Sequence, residues 1–188
     1  GGVYKINGFQ PDIVVYGKGM GNGYAISTVL GKKDVMDMAQ ETFISSTFWT
    51  ERIGFVATLK TIDILIREKL WEHLIHIGNM IGEGWLNLAK KHYLKLHITD
   101  FKPLITMKFE YGELNPYLIT LFTQEMLKQG YLVAPSVYVS FAHNEEIVET
   151  YLGNVDEVFQ LLSESISNNN VMERLETKVR DDGFTRLT

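Results

Sequence analysis

Apolar residues along this chain change their spacing twice, and each spacing predicts a different element. Ile13-Val14-Val15-Tyr16 is a continuous apolar run between Pro11-Asp12 and a glycine cluster. Such a run reads as a strand buried on both faces of a parallel sheet. The loop Gly17-Lys18-Gly19-Met20-Gly21-Asn22-Gly23 separates it from a β-branched stretch over residues 26–30, a second strand. Residues 33–39 have the charge and spacing of a short surface helix that Asp34 would help to start. From Glu51 the period lengthens, and Ile53, Val56, Leu59, Ile62 and Ile66 fall on a broad helical stripe. Residues 70–91 form a second helix. Its interior glycines Gly78, Gly82 and Gly84 each cost about 1 kcal/mol against alanine, but three small residues on one side would permit close packing.

Further along, residues 94–98 and 104–109 read as short strands, 116–129 as a helix, Leu132-Val133 as a strand, and the stretch from Asn144 or Glu145 through Ser165 as a last helix. Two helices on a small sheet make a separate α+β layer. Asn144 before Glu145-Glu146 is a good N-cap, with acidic residues complementing the helix dipole. Ser167-Asn168-Asn169-Asn170 is turn-forming and reads as a linker to a terminal segment ending Asp182-Gly183-Phe184-Thr185-Arg186-Leu187-Thr188. No internal repeat is visible.

Composition narrows the classes. The 188 residues are 45% hydrophobic and 22% charged, which fits an ordinary globular domain and excludes disordered and low-complexity chains. The absence of cysteine removes disulfides, thiolate zinc sites and cysteine nucleophiles together, and fits a cytoplasmic location. Eighteen Lys and Arg against 23 Asp and Glu give a net charge of −5, the wrong sign for a nucleic-acid partner. Uncharged apolar stretches are far shorter than the ~20 residues that span a bilayer, and no charged region with a cleavage site opens the chain. No membrane association is expected. His73 and His76 are close enough on one helix to share a face, but no third ligand accompanies them, so no metal site is expected. The chain opens on Gly1-Gly2 without methionine and runs almost at once into a strand, which suggests a piece of a longer protein.

The candidate chemistry lies in Gly17-Lys18-Gly19, at the end of a strand. One reading is a solvated loop lysine in a non-catalytic interaction module. A phosphate cradle is a second, but the spacing differs from the Walker pattern and no helix start follows directly. A third is an imine-forming lysine, an amine on a flexible stem that condenses with the aldehyde of pyridoxal phosphate, with glycines letting the backbone pass close to the flat ring. The whole stretch from Pro11 to Tyr24 resembles the lysine motif of class-III aminotransferases, pyridoxal-phosphate enzymes of fold type I. Ser46-Thr47-Phe48-Trp49 resembles the segment whose threonine reaches the cofactor phosphate of the neighbouring subunit. Ala134-Pro135-Ser136 through Ser140-Phe141-Ala142-His143-Asn144-Glu145-Glu146 is similar to the C-terminal domain of glutamate-1-semialdehyde aminomutase and its relatives. The resemblance covers nearly the whole chain.

It implies an α/β fold, the C-terminal part of a fold-type-I enzyme, with residues 1–67 as the end of the large-domain sheet and 68–188 as the small α+β domain. It implies pyridoxal phosphate as cofactor, a homodimer, and small-molecule amino donors and acceptors. Lys18 would form the imine and then shuttle the proton between substrate carbon and cofactor carbon. Burial beside the cofactor would bring a lysine down from ~10.4 toward the operating pH of a general base. Thr47 would donate its hydroxyl to the phosphate across the dimer interface; its ordinary alternative is a turn or N-cap before the Glu51 helix. The reaction implied is amino transfer, or 1,2-migration in the aminomutase manner.

The sequence also departs from the family. After the threonine the family has a small residue, glycine, histidine or asparagine, and proline; here stand Trp49-Thr50-Glu51-Arg52. Trp49 and Arg52 would line an altered pocket, with Arg52 holding a carboxylate or phosphate, or would pair at an interface. Many relatives with amino-acid donors carry an arginine in the stretch corresponding to 135–142; none is present here, as in the aminomutase branch. The family's acid for the pyridine nitrogen and its phosphate loop lie upstream of the lysine motif. Asp12, the sole acid before Lys18, is too near to serve the far side of the ring. This chain alone is therefore expected to be inactive. Glutamate-1-semialdehyde, an ω-amino acid and a keto sugar all fit as substrates.

Overall fold

The computed structural model describes residues 2–5, 7–49 and 51–181. They divide into two units, Gly1–Leu70 and Trp71–Thr188.

In the first unit, β1 (Ile13–Tyr16) and β2 (Thr28–Gly31) form an antiparallel pair, with Val14 opposite Leu30 and Tyr16 opposite Thr28. The apolar run of β1 therefore does not lie in a parallel sheet buried on both faces. Ile13 and Val15 are 49% and 66% exposed. Apolar runs report a demand for burial, not the direction of the neighbouring strand, and here the chain folds back on itself through the glycine loop. The second strand starts at Thr28 because Ile26 is occupied elsewhere: its side chain fills the space beside Gly21 and Gly54. Helix α1 (Lys33–Met36) follows Lys32, which caps it without a side-chain bond, and Asp34 lies within the first turn; a 3-10 turn over Asp37–Glu41 completes the expected helix. Helix α2 (Ile53–Arg67) buries Gly54 and leaves Phe55, Val56, Leu59 and Ile66 exposed.

The second unit is an α+β layer. Helix α3 (Leu70–Lys91) is followed by β3 (Leu96–Ile98), β4 (Leu104–Phe109), α4 (Asn115–Lys128), β5 (Ser136–Tyr138) and α5 (Glu145–Ser167). The sheet runs β3-β4-β5 and is antiparallel throughout, with Leu96 opposite Phe109 and Leu104 opposite Tyr138. Period decides what is buried. Ile77, Ile81 and Trp85 recur at helical spacing on α3, Ile105, Met107 and Phe109 alternate along β4, and Val155, Phe159 and Leu162 face inward from α5. Every buried hydrophobic side chain among the described residues belongs to this unit.

The glycines of α3 serve two faces. Gly78 brings the helix against the Lys102 backbone and Gly82 faces Ile105 and Ile98, whereas Gly84 faces Leu152 on α5. The expected strand at Leu132-Val133 is irregular, with Leu132 90% exposed, and pairing begins instead at Ser136. Pro135 explains the shift, because it has no N–H to donate to a ladder, and only its carbonyl is used, by Met107 N–H at 2.9 Å. Asn144 caps α5 as its sequence predicts, accepting from Ile147 N–H at 2.8 Å. The expected terminal segment 182–188 lies outside the described residues.

Candidate active site

Lys18 opens a 3-10 turn over Lys18–Met20 at the end of β1. Met20 N–H donates to Gly17 O at 3.1 Å, and the amides of Gly21 and Asn22 both donate to Lys18 O at 3.2 Å. Lys18 has φ +47°, in the left-handed region that a side chain enters at a cost of about 1–2 kcal/mol. Glycine would occupy that position without strain, so the lysine stands there against a backbone preference. Gly21 is required by space: a Cβ on it would overlap the Tyr24 carbonyl and stand 2.7 Å from Ile26 Cγ2. The turn packs against α2, so one wall of the lysine's surroundings is helical.

The Lys18 side chain is exposed, and its amine has no hydrogen bond or ion pair among the described residues. Asp12 is engaged elsewhere, bonded to Lys32 Nζ at 2.6 Å, and this bond holds the Lys32 ammonium above the ordinary lysine range. Tyr16, two residues before the lysine, shares a 3.3 Å hydrogen bond with the Tyr4 hydroxyl, which raises its pKa above the usual phenol value. It is a brace at the strand end and remains protonated at neutral pH.

Thr47 lies exposed in a turn, where Phe48 N–H donates to Ser46 Oγ at 3.4 Å and Glu51 N–H to Phe48 O at 3.1 Å. Its hydroxyl has no partner among the described residues, and α2 begins after Arg52 without any side-chain cap. The N-cap alternative for Thr47 is thus not realised. A groove of about 750 Å³ in the same unit is lined by Ile26, Ser27, Ser46, Trp49, Glu51 and Phe55 among others; neither Lys18 nor Thr47 lines it. Of the two residues expected to line an altered pocket, Trp49 lines this groove and Arg52 does not; the remaining walls come from separate stretches that the sequence did not bring together.

The histidines have structural partners. His73 Nε2 donates to His143 O at 2.9 Å, His76 Nε2 meets Glu145 Oε1 at 2.7 Å, and Ser140 N–H donates to His143 Nδ1 at 3.0 Å. Together they tie α3 to the start of α5. Among the described residues no group of three or more His, Cys, Asp or Glu is placed to hold a metal ion.

The scaffold described above is the fold of the C-terminal part of pyridoxal-phosphate transaminases of fold type I. Solved transaminases share it. The Sphingopyxis sp. MTA144 FumI protein, solved in its internal aldimine form with pyridoxal phosphate, superposes with a TM-score of 0.79 at 26% identity, over 87% of this chain and 40% of that one. An omega-transaminase from Sphaerobacter thermophilus superposes at 0.78 and 17% identity, over 86% and 41%. Residues 2–101 match the class-III aminotransferase family, and the chain belongs to it. Among curated relatives, the 3-aminobutyryl-CoA aminotransferase of Cloacimonas acidaminovorans is 30% identical over 151 residues, 78% of this chain and 36% of the relative. The 2'-deamino-2'-hydroxyneamine transaminase of Streptomyces kanamyceticus is 31% identical over 110 residues, 58% and 28%. The chain thus spans between 28% and 41% of the length of these relatives.

The family's cofactor is pyridoxal phosphate. The residues present fit it in two respects: a primary amine with no competing partner, and an unengaged hydroxyl at Thr47.

Proposed function

We propose that this chain is the C-terminal part of a homodimeric class-III aminotransferase, with Lys18 as its cofactor-bearing lysine and Thr47 as a phosphate ligand for the partner subunit's cofactor. The observation that carries the reading is the turn at Lys18: an unpaired amine held at φ +47° between glycines at a strand end. Residues 1–67 would close the large domain and 68–188 form the small one, a reading supported by the division of the chain after Leu70.

When bound, pyridoxal phosphate supplies an electron sink for the pair left behind as an amine substrate loses its α-proton. Lys18 Nζ would hold the cofactor, and when released from it the same amine would act as the base that moves the proton between the substrate carbon and the cofactor carbon. The left-handed turn aims the side chain, and Gly17 and Gly19 leave room for a flat ring beside the backbone. Thr47 donates its hydroxyl to phosphate. Asp12, held by Lys32, does not serve the ring nitrogen, so that acid and the phosphate loop come from upstream sequence and the chain alone is inactive.

The reaction is transfer of an amino group between small molecules, with 1,2-migration in the aminomutase manner as its close variant. The absence of arginine over 135–142 supports a substrate whose recognition does not hinge on an α-carboxylate. A cytoplasmic location follows from this metabolic role; among the described residues no helix is long and apolar enough to cross a membrane.

The test is to add pyridoxal phosphate to the protein in its full length, reduce with borohydride, and map the modified peptide in wild type and Lys18→Ala. A visible absorbance band lost on reduction, with the adduct on the Lys18 peptide and absent from the variant, is expected. A folded, full-length protein that forms no adduct overturns the reading and leaves a non-catalytic interaction module.

A further inference from the structure

Thr120, Gln124 and Lys128 recur at every fourth position of α4 and so form one polar stripe along the helix. The segment that follows α5 folds back over that stripe. Gln124 Nε2 donates to Arg174 O at 3.0 Å, and Gln124 Oε1 accepts from Glu176 N–H at 2.7 Å. Lys128 Nζ meets Glu176 Oε1 at 2.6 Å, and Thr120 Oγ1 accepts from Arg180 N–H at 3.1 Å. The segment therefore runs antiparallel to α4, and only the ion pair uses one of its side chains. The stripe is built for this task. The other Gln124 N–H donates to Glu125 Oε1 at 2.7 Å, which turns the amide oxygen toward Glu176 N–H, and Thr120 gives its own proton to Pro116 O at 2.7 Å, which leaves its oxygen as an acceptor.

The two ends of the segment are held differently. Val171 is buried and Leu175 packs on the core, whereas no described residue after Leu175 belongs to it. Residues 176–181 rest on hydrogen bonds and an exposed ion pair, each weak in net terms because water replaces it when the segment lifts. Opening a region held in this way takes far less free energy than unfolding the core. The segment is also one wall of a cavity of about 600 Å³, whose other side is formed by Thr123, Leu127 and residues 133–135, the stretch leading into β5.

We propose that residues 176–181 are a strap, anchored at Leu175, that closes on the Thr120, Gln124 and Lys128 stripe through its main chain and lifts from it as a unit, opening the cavity beneath. The strap and its stripe lie wholly in the second unit, which carries its own core, and the device operates whether or not Lys18 bears a cofactor.

The experiment is hydrogen–deuterium exchange read by mass spectrometry on the full-length protein. Amides of 176–180 are expected to be protected, but roughly a hundredfold less than those around Phe159 in α5. Gln124→Glu sets a carboxylate against Arg174 O and Glu125, and is expected to cut the protection of 176–180 by roughly tenfold or more while leaving α5 unchanged, which also shows that the variant is folded. Lys178→Ala is expected to change protection by no more than about twofold, since the stripe does not touch that side chain. Opening of the cavity is read from Thr123→Cys, whose labelling by a maleimide, located by peptide mapping, is expected to quicken by roughly tenfold when Gln124→Glu is added. Protection of 176–180 equal to that of α5, no protection at all, an unaltered Gln124→Glu, an equal effect of Lys178→Ala, or unchanged labelling at position 123 would each overturn the proposal. None of these outcomes touches the Lys18 adduct, which is measured separately.

Discussion

Replacing Gly78 by alanine sets a local helical preference against a tertiary contact, and the structure decides which wins. Alanine in a helix interior is favoured over glycine by about 1 kcal/mol. At Gly78, however, the new Cβ would overlap the Lys102 carbonyl oxygen and stand 2.7 Å from its carbon and 2.9 Å from Lys102 Cβ. That backbone cannot turn away: Leu104 N–H donates to Phe101 O at 3.1 Å, and Val139 N–H donates to the neighbouring Pro103 O at 3.0 Å. Helix α3 must move instead, disturbing Ile77 and Ile81, which are buried in the core. Overpacking of this kind costs roughly 1–3 kcal/mol, and an immovable carbonyl puts it at the upper end. The net is a destabilisation of about 1–2 kcal/mol. Gly84→Ala is the control. Its Cβ meets only the outer carbons of the Leu152 side chain, which is partly exposed and can change rotamer, so gain and cost offset to about zero. Urea unfolding followed by circular dichroism would show a lowered midpoint at unchanged slope for Gly78→Ala and little change for Gly84→Ala. Equal stability of the two variants, or a stabilised Gly78→Ala, would refute the claim that close backbone approach is why glycine stands there.

Tyr151→Phe leaves the buried Trp85 Nε1–H, now bonded to the Tyr151 hydroxyl at 3.0 Å, without an acceptor, and a loss of about 1–3 kcal/mol in urea unfolding is expected. Asp156 is bonded by Lys91 and His92, which hold its carboxyl below the ordinary carboxylate range. Because the folded value lies below the unfolded one, its contribution is full above the ordinary range and fades as pH falls through the lowered value. Asp156→Asn should therefore flatten the acid limb of a stability-against-pH curve, and an unchanged limb would discount the cluster. Since buried hydrophobic side chains among the described residues lie only in the second unit, residues 71–188 expressed alone should unfold cooperatively and residues 1–70 alone should not; circular dichroism melts of the two pieces test this.

How much was legible in the sequence depends on which interaction fixes each feature. Helices α3 and α5 and strand β4 could be read almost to the residue, because their apolar periods are the same positions that fill the core. Asn144 was legible as a cap because capping is a three-residue interaction. Strand direction was not: the run Ile13-Val14-Val15-Tyr16 specifies apolarity, whereas pairing with β2 depends on how the loop between them closes. No strand forms at Leu132-Val133, because the missing N–H of Pro135 decides where the ladder begins. The double duty of the α3 glycines was hidden for a third reason. Gly78 and Gly82 share a face, but Gly84 answers to α5, a partner more than sixty residues along the chain.

The candidate site divides along the same line. Lys18 was legible because its geometry is made locally: glycines on both sides, a turn closed by its own carbonyl, and Gly21 admitting the Tyr24 backbone. Such a turn is written in the eight consecutive residues 17–24, in a unit that buries no hydrophobic side chain among its described residues. The groove of the first unit is not written locally: its walls come from residues 25–29, the loop 44–49 and the start of α2, with hydroxyls from Ser27 and Ser46 among them and Glu51 as the one charged side chain among the described lining residues. The lysine turn is thus specified by a short motif and the groove by residues up to thirty positions apart, so Lys18→Ala should change the turn and leave the groove's lining as it is.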